Sequence, residues 1–211
     1  MKVFRFNYSC YCLKVEKALD LLGMEYERVQ VPYLNRAELV ELTGGYIQVP
    51  VIVDDSGRVH RESRAICEFL STSFGDTRLV PKGLEAAIWA YHDWSDNQLE
   101  DVMFRIASPL VQQTFKSPQE KAFYTLIKER KYGKGCVQTW EKESAELLSQ
   151  AREILTPTEK TLSEQEFIIG DCPTLADAAL YGQFAMLDEA GVKIEVDFGK
   201  VFSRWFEEMK K

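Results

Sequence analysis

Strand and helix patterns alternate over the first third of this chain and give way to helix patterns alone. Apolar-alternating runs over residues 2–8 and 26–31 flank a helical pattern over residues 12–22, which ends at Gly23. The next elements are a short helix (36–42), a hairpin (49–62) with two β-branched runs around Asp-Ser-Gly, and a helix (63–72) with Ser63 as its N-cap. This order, βαβ, then α, then ββα, predicts a small α/β domain.

Helical spacing governs nearly all of the sequence after residue 84. One long face combines Ile88, Tyr91, Ser95, Leu99, Val102 and Ile106, and similar patterns cover 117–133 and 136–155. Thr174, with Asp177 three positions later, indicates a capping box at the start of another helix. We interpret both residues as structural, because a helix N-cap contributes about 0.5–2 kcal/mol to stability.

Glycine, proline and polar residues between residues 76 and 84 predict a linker between the two halves. The sequence therefore predicts an α/β domain over residues 1–75 and an all-helical domain over residues 85–211. The length of 211 residues accommodates both.

The charge and hydropathy of the chain exclude some classes of partner. The formal net charge of −7 argues against a nucleic-acid surface, because phosphate binding depends on Lys and Arg. The sequence contains no apolar run of about 18 residues, the length that would predict a membrane span. The N-terminus lacks the apolar run of a signal peptide. We expect a cytoplasmic protein without nucleic-acid or membrane partners.

Five cysteines, an odd number scattered over a long chain, predict free thiols rather than a disulfide framework. Cys10 and Cys12 form a CxC pair, but no second pair completes the about four ligands of a zinc site, so we expect no metal. Cys67, Cys136 and Cys172 are most simply small buried apolar residues.

Four stretches together carry a resemblance to a known family. The turn "YSCYCLKV" (8–15), "IQVPVIVDDSG" (47–57) and "ESRAICEFL" (62–70), in this order, resemble the N-terminal thioredoxin-like domain of cytosolic glutathione transferases. The stretch "GDCPTLADAAL" (170–180) resembles the buried helix start of the family's C-terminal domain. The resemblance implies a thioredoxin-like α/β domain followed by an all-α domain, glutathione as co-substrate without a metal, and a homodimer.

Five residues are assigned to glutathione binding by this resemblance. Pro50 suits a strand start because proline cannot donate a ladder hydrogen bond, and the resemblance implies a cis Val49–Pro50 bond. Val49 would pair through its backbone with the cysteinyl unit of glutathione, as an added strand does, and Gln48 would reach the glycine end. Ser63 at a helix N-terminus would take the γ-glutamyl carboxylate, and Glu62 its ammonium. On the residues alone, Ser63 is an N-cap and Glu62 a surface charge.

A hydroxyl and two thiols occur where the first strand ends and the first helix begins. The resemblance places Ser9 at the catalytic position of serine-type members, where a hydroxyl and a helix N-terminus lower the pKa of the glutathione thiol. Cys10, Tyr8 and Cys12 remain alternatives, Tyr8 as a hydroxyl donor and the cysteines for thiol chemistry. We expect a lowered pKa for Cys12, which falls in the first helical turn, although packing is the simpler interpretation of both cysteines.

A pocket for the second substrate is expected between Tyr11 and the first long helix of the helical half. His92 and Asp96 are four positions apart and share a helix face, and Tyr91 is their neighbour. These four residues are the candidate lining of an electrophile pocket. On the residues alone, a single histidine on an aromatic-rich helix is structural.

The resemblance implies a glutathione transferase with a role in detoxification, whose activated thiol attacks an apolar electrophile. One alternative is a glutathione-dependent isomerase similar to maleylacetoacetate isomerase, although Leu13-Lys14 stand where that enzyme has Trp-Arg. Another is a disulfide reductase that uses Cys10 or Cys12. A third is a non-catalytic interaction module of the same fold, against which the presence of the whole glutathione-binding set argues.

Overall fold

Residues 1–74 and 77–211 are described by the structure, a computed structural model. The strands are β1 (Lys2–Arg5), β2 (Glu27–Gln30), β3 (Val51–Val53) and β4 (Val59–Arg61). The helices are α1 (Cys10–Leu21), α2 (Ala37–Thr43), α3 (Ser63–Ser73), α4 (Glu85–Trp94), α5 (Glu100–Thr114), α6 (Pro118–Tyr132), α7 (Cys136–Lys142), α8 (Ser144–Glu164), α9 (Leu175–Glu189) and α10 (Ile194–Lys210). A π-helical turn, Ser95–Leu99, joins α4 to α5. The predicted boundary between residues 75 and 76 lies outside the described residues, so the division into domains stays a prediction.

The four strands form one sheet in the order β2-β1-β3-β4. β1 runs parallel to β2 and antiparallel to β3, and β3 pairs with β4 as the predicted hairpin. A parallel pair needs a crossover connection, and α1 supplies it. The predicted order of βαβ, α and ββα, followed by helices alone, is therefore confirmed.

One cluster of buried apolar side chains joins the sheet half of the chain to the helical half. Val3 of the sheet, Leu19 of α1 and Ile66 of α3 are fully buried in it. The helical half adds Ile88 and Leu175 to the same core. Because burying such a side chain stabilises the fold by about 1.5–3 kcal/mol, this shared core holds α1 against the helical half.

The helical half departs from the sequence patterns in two places. The helix predicted over residues 136–155 is two helices, α7 and α8, which meet at Glu143 (φ −91°, ψ 11°). α8 then continues through Pro157. The helical backbone of α10 is interrupted at Gly199 (φ 86°, ψ 175°). None of the described helices has the length and apolar character needed to cross a bilayer.

Helix α9 packs tightly against α1 at Gly182. A Cβ atom at this position would overlap the carbonyl oxygen of Cys10 and lie 3.0 Å from the backbone nitrogen of Lys14. Both atoms belong to the backbone of α1 and cannot move independently of it. The close approach therefore requires glycine, and it fixes the first turn of α1.

We expect Gly182→Ala to lower the free energy of unfolding by about 1–3 kcal/mol, the usual cost of overpacking. Helix propensity alone has the opposite sign, because alanine in a helix interior is about 1 kcal/mol more favourable than glycine. Urea denaturation followed by circular dichroism measures the difference. A more stable variant would contradict the close packing of α1 against α9.

Candidate functional site

Two adjoining cavities lie between the sheet half and the helices. The first, of about 510 Å³, is named the polar cavity and is lined by Tyr11, Tyr46, Gln48, Val49, Pro50, Glu62, Ser63, Arg64, His92, Asp93, Asp96 and Asn97. The second, of about 650 Å³, is named the aromatic cavity, and its lining includes Phe6, Tyr8, Ser9, Cys10, Tyr11, Tyr33, Arg36, Glu100, Phe104, Phe123, Tyr124, Lys128, Lys131 and Tyr132. Tyr11, Gln48 and Val49 line both cavities.

All five residues assigned to glutathione line the polar cavity. The Val49–Pro50 bond is cis, as the resemblance implies. Among the described residues, none donates a hydrogen bond to the Val49 backbone or accepts one from it. The backbone N–H and C=O of the half-buried Val49 are therefore free to pair with an extended peptide.

The loop between β4 and α3 places a carboxylate and a hydroxyl side by side. Glu62 has φ 65° and is the only described non-glycine residue with positive φ. Such a conformation costs about 1–3 kcal/mol and is typical of ligand sites. Ser63 is the first residue of α3, and Glu62 is its N-cap, so the prediction of Ser63 as N-cap is off by one position. Ser63 still stands at the positive end of a helix.

Ser9 is the N-cap of α1, where its backbone is extended (φ −92°, ψ 114°). Its hydroxyl oxygen accepts a hydrogen bond from the Cys12 N–H at 3.4 Å. A hydroxyl also carries a rotatable donor, so the same group can donate to an acceptor in the cavity. The half-buried Ser9 lines the aromatic cavity beside Tyr11, which lines both.

Tyr8 lies beside Ser9 in the wall of the aromatic cavity. Its hydroxyl is buried and has no hydrogen-bond partner among the described residues. Burial, followed by the neighbouring Tyr33 and Tyr124, raises the pKa of Tyr8. The hydroxyl therefore stays protonated, and a buried donor without a partner is unusual enough to keep Tyr8 as an alternative to Ser9.

The cysteine predictions need two corrections. Cys12 is fully buried, and burial raises its pKa to about 12, despite hydrogen bonds from Ser9 and the Phe6 backbone. The expected lowering by the helix N-terminus is therefore wrong, because desolvation of the thiolate outweighs it. Burial also raises the pKa of the Cys10 thiol. Cys172 is exposed rather than buried.

The four residues predicted to line an electrophile pocket separate in the structure. Tyr11 lines both cavities, whereas His92 and Asp96 line the polar cavity. Tyr91 lines neither cavity: its hydroxyl is 3.0 Å from Thr158 Oγ1, and its ring packs against Trp94. The prediction is therefore wrong for Tyr91, which faces inward because α4 turns that side towards α8.

Sequence reasoning missed the buried cation at the centre of the interface. Lys14 is only 1% exposed, forms an ion pair with Asp96, and places its Nζ 2.9 Å from His92 Nε2. His92 Nδ1 is 3.0 Å from Asp93 Oδ1. Burial and the Lys14 charge lower the pKa of His92, so Nε2 of the neutral ring accepts from Lys14 and Nδ1–H donates to Asp93.

A signal for this cluster exists in the sequence. Lys14 is one turn from both Cys10 and Ala18, so it belongs to the apolar stripe of α1. A lysine in such a stripe needs an acid from the element packed against it. Local spacing does not identify that acid, because Asp96 is 82 residues away.

The aromatic cavity was also missed, since a large part of its wall comes from α5 and α6, which carry no motif. Rings from both halves meet there, with Tyr33 and Phe123 at 5.8 Å between centroids and Tyr33 and Tyr124 at 6.0 Å. Glu100 contributes a carboxyl whose pKa is raised by burial. The cavity can therefore hold a flat apolar group next to Ser9.

Comparison with known proteins agrees with this architecture. The family models "Glutathione S-transferase, N-terminal domain" and "Glutathione S-transferase, C-terminal domain" match residues 8–73 and 102–211. No curated protein matches the chain.

Three solved structures share the fold at low sequence identity. A glutathione transferase from Phanerochaete chrysosporium has a TM-score of 0.83 at 18% identity, covering 99% of this chain and 95% of its own. A glutathione S-transferase of Ceriporiopsis subvermispora in complex with glutathione has 0.84 at 18%, covering 99% and 96%. Glutaredoxin 2 from Salmonella typhimurium in complex with glutathione has 0.75 at 17%, covering 99% and 94%. Because the two family models together match most of the residues, this chain belongs to the glutathione S-transferase family.

Proposed function

We propose that this protein binds glutathione in the polar cavity and activates its thiol for attack on an electrophile held in the aromatic cavity. The observation that carries the proposal is the position of Ser9, the N-cap of α1, in the wall of one cavity and beside Tyr11, which lines both. From the family we also propose a cytoplasmic homodimer.

Each end of glutathione has a complementary group in the polar cavity. The cysteinyl unit pairs with the open N–H and C=O of Val49, as an added strand does. The γ-glutamyl carboxylate lies at the α3 N-terminus and Ser63, and its ammonium faces Glu62. Gln48 faces the glycine end. Two of the structurally similar proteins, from Ceriporiopsis and Salmonella, are in complex with glutathione, which supports this choice of ligand.

Ser9 acts on the charge of the sulfur. The free thiol has a pKa of about 8.5, so little of it is ionised at neutral pH. The Ser9 hydroxyl donates to the thiolate, and the positive end of α1 favours the same charge. The thiol proton passes to solvent. The thiolate then gives its electron pair to the electrophilic carbon, and a leaving group departs with the pair that bound it.

The structure weighs against the reductase alternative. Thiol exchange needs a cysteine thiolate that is accessible to a disulfide. Cys10 and Cys12 are both buried, and their pKa values are raised by that burial. An isomerase would use the same activated thiol, so the two differ only in the second substrate.

A pH titration of thiolate ultraviolet absorbance tests the proposal. With saturating glutathione, we expect the wild type to ionise the thiol well below its free pKa. Ser9→Ala loses a hydrogen bond to a charged acceptor, worth about 1.5–3 kcal/mol, and therefore raises the bound thiol pKa by about 1 to 2.

Two controls make the titration specific. Ser117→Ala removes another serine N-cap, that of α6, whose hydroxyl accepts from Glu120 N–H at 3.4 Å, and it leaves the titration unchanged. Ser9→Thr keeps the hydroxyl and retains the low pKa. If Tyr8→Phe abolishes the shift and Ser9→Ala does not, Tyr8 is the donor. Absence of any shifted thiolate in the wild type overturns the proposed function.

A further inference from the structure

The aromatic cavity is positively charged, in a protein whose formal net charge is −7. Its charged lining consists of Arg36, Lys128, Lys131 and a single carboxyl, that of Glu100. Arg36 donates to the carbonyl oxygens of Ile47 and Tyr33 rather than to an acid. Cations concentrated in a cleft with apolar walls attract anions, because the low dielectric strengthens the interaction.

Lys128 is held by aromatic rings rather than by an acid. Its Nζ lies 4.5 Å from the ring centroid of Phe104 and 4.6 Å from that of Tyr124, and both rings line the cavity. Within the described ranges it forms no ion pair. Burial lowers the pKa of Lys128 to about 8. An ammonium that is held between rings without a counter-ion gains from a ligand that brings one.

Glu100 does not cancel this charge. Its own pKa is raised, first by burial, and it faces two lysines, Lys128 and Lys131. With Arg36 also in the wall, the cavity keeps an excess of positive charge even when Glu100 is ionised.

We propose that the aromatic cavity takes aromatic electrophiles that carry an anionic group, with the ring against the aromatic wall and the anion on Lys128. This inference rests on the proposed function, which supplies the thiolate, and it replaces the wholly apolar electrophile expected from the sequence. The geometry that carries it is the ammonium of Lys128 between two rings of a cavity that begins at Ser9.

A matched pair of electrophiles tests the charge preference. The probes are chlorodinitrobenzoate, with chlorine para to the carboxylate, and the corresponding uncharged carboxamide. In each reaction the glutathione thiolate forms a carbon–sulfur bond, and the carbon–chlorine bond breaks, so that chloride leaves with the electron pair. The quantity measured is the ratio of kcat/KM for the benzoate to kcat/KM for the carboxamide. Intrinsic reactivity cancels when this ratio is compared between variants.

We expect Lys128→Gln to lower that ratio by at least about tenfold, the usual value of one hydrogen bond to a charged group. Lys128→Arg keeps the charge and most of the ratio. Lys121→Gln is the matched control, because Lys121 is on the same helix, is exposed, and does not line the cavity. It leaves the ratio at the wild-type value.

The ratio also depends on pH in a defined direction. The Lys128 ammonium is charged below its pKa of about 8, so preference for the benzoate is greatest below that pH and falls above it. The charged or titratable groups that face Lys128 are Glu100 of α5, Tyr124 and Lys131 of its own helix, Cys136 of α7 and Arg36 before α2. Ionisation of glutathione affects both electrophiles equally and cancels in the ratio. In Lys128→Gln this pH dependence is absent.

Binding of an unreactive analogue separates the two proposals. Dinitrobenzoate without chlorine is titrated calorimetrically into the glutathione complex of the wild type and of Lys128→Gln, and we expect binding about tenfold weaker in the variant. If neither electrophile is conjugated but this difference holds, the charge preference stands and the transferase function fails. If both are conjugated, and Lys128→Gln changes neither the ratio nor the analogue affinity, the charge preference is overturned and the transferase function stands.

Discussion

Asp177→Asn lowers the free energy of unfolding by about 3 kcal/mol or more. The buried carboxylate accepts four hydrogen bonds: Oδ1 from Ile168 N and Trp205 Nε1 at 3.0 and 3.2 Å, and Oδ2 from Thr174 N and Thr174 Oγ1 at 3.0 and 3.3 Å. An amide in its place turns one acceptor oxygen into a donor that faces other donors. Each buried donor left without a partner costs about 1–3 kcal/mol.

The measurement is urea unfolding of the variant beside Ser117→Ala. Ser117 caps α6 through one hydrogen bond at a half-buried site, so its loss is limited to about 0.5–1 kcal/mol. The contrast isolates burial, since both changes remove side-chain hydrogen bonds at a helix N-terminus. Equal losses in the two variants would mean that Asp177 does not satisfy the donors around it.

Lys14→Met lowers the free energy of unfolding by about 3 kcal/mol. Methionine fills the space of the lysine stem but leaves the Asp96 carboxylate, which is 15% exposed, without its cation. Breaking a buried pair by removing one partner typically costs about 3–5 kcal/mol. The partial exposure of Asp96 favours the lower end of that range.

Two further variants identify the cause of this loss. Lys2→Met breaks an ion pair with Glu27 in which both side chains are more than half exposed, and it changes stability by at most about 0.5 kcal/mol. The double variant Lys14→Met/Asp96→Asn regains part of the loss, because no unpaired charge remains. A loss in Lys14→Met no larger than that in Lys2→Met would contradict the buried pair.

Signals confined to a few residues predicted the fold well. The β-branched runs around Asp-Ser-Gly formed the hairpin, and Thr174 with Asp177 formed the capping box. The signals failed where the determinant is not local. No Gly or Pro marks the break between α7 and α8 at Glu143. Pro157, a residue type that often ends a helix, instead lies inside α8.

The candidate site also contains residues that local motifs predicted and residues that they did not. Gln48, Val49, Pro50, Glu62 and Ser63 lie on short motifs of the sheet half, and the structure collects all five in one cavity. Lys128 and Tyr124 have no motif, since the cavity that they line exists only once α6 packs against the sheet half. Desolvation of Cys12 likewise depends on packing from distant segments, which a position in the first helical turn does not reveal.

The π-helical turn between α4 and α5 determines how the side chains of these two helices are oriented around their common axis. Residues spaced four apart in a regular α-helix advance about 40° around the axis at each step, so the stripe of His92, Asp96, Glu100 and Phe104 would wind away from the sheet half. The π-helical turn contains one extra residue, which rotates the side chains after it back by about 100° around the axis. Gln183 Nε2 donates to the Ser95 carbonyl oxygen inside the turn at 3.3 Å. The extra residue thus lets one face of α4 and α5 supply His92 and Asp96 to the polar cavity and Glu100 and Phe104 to the aromatic cavity.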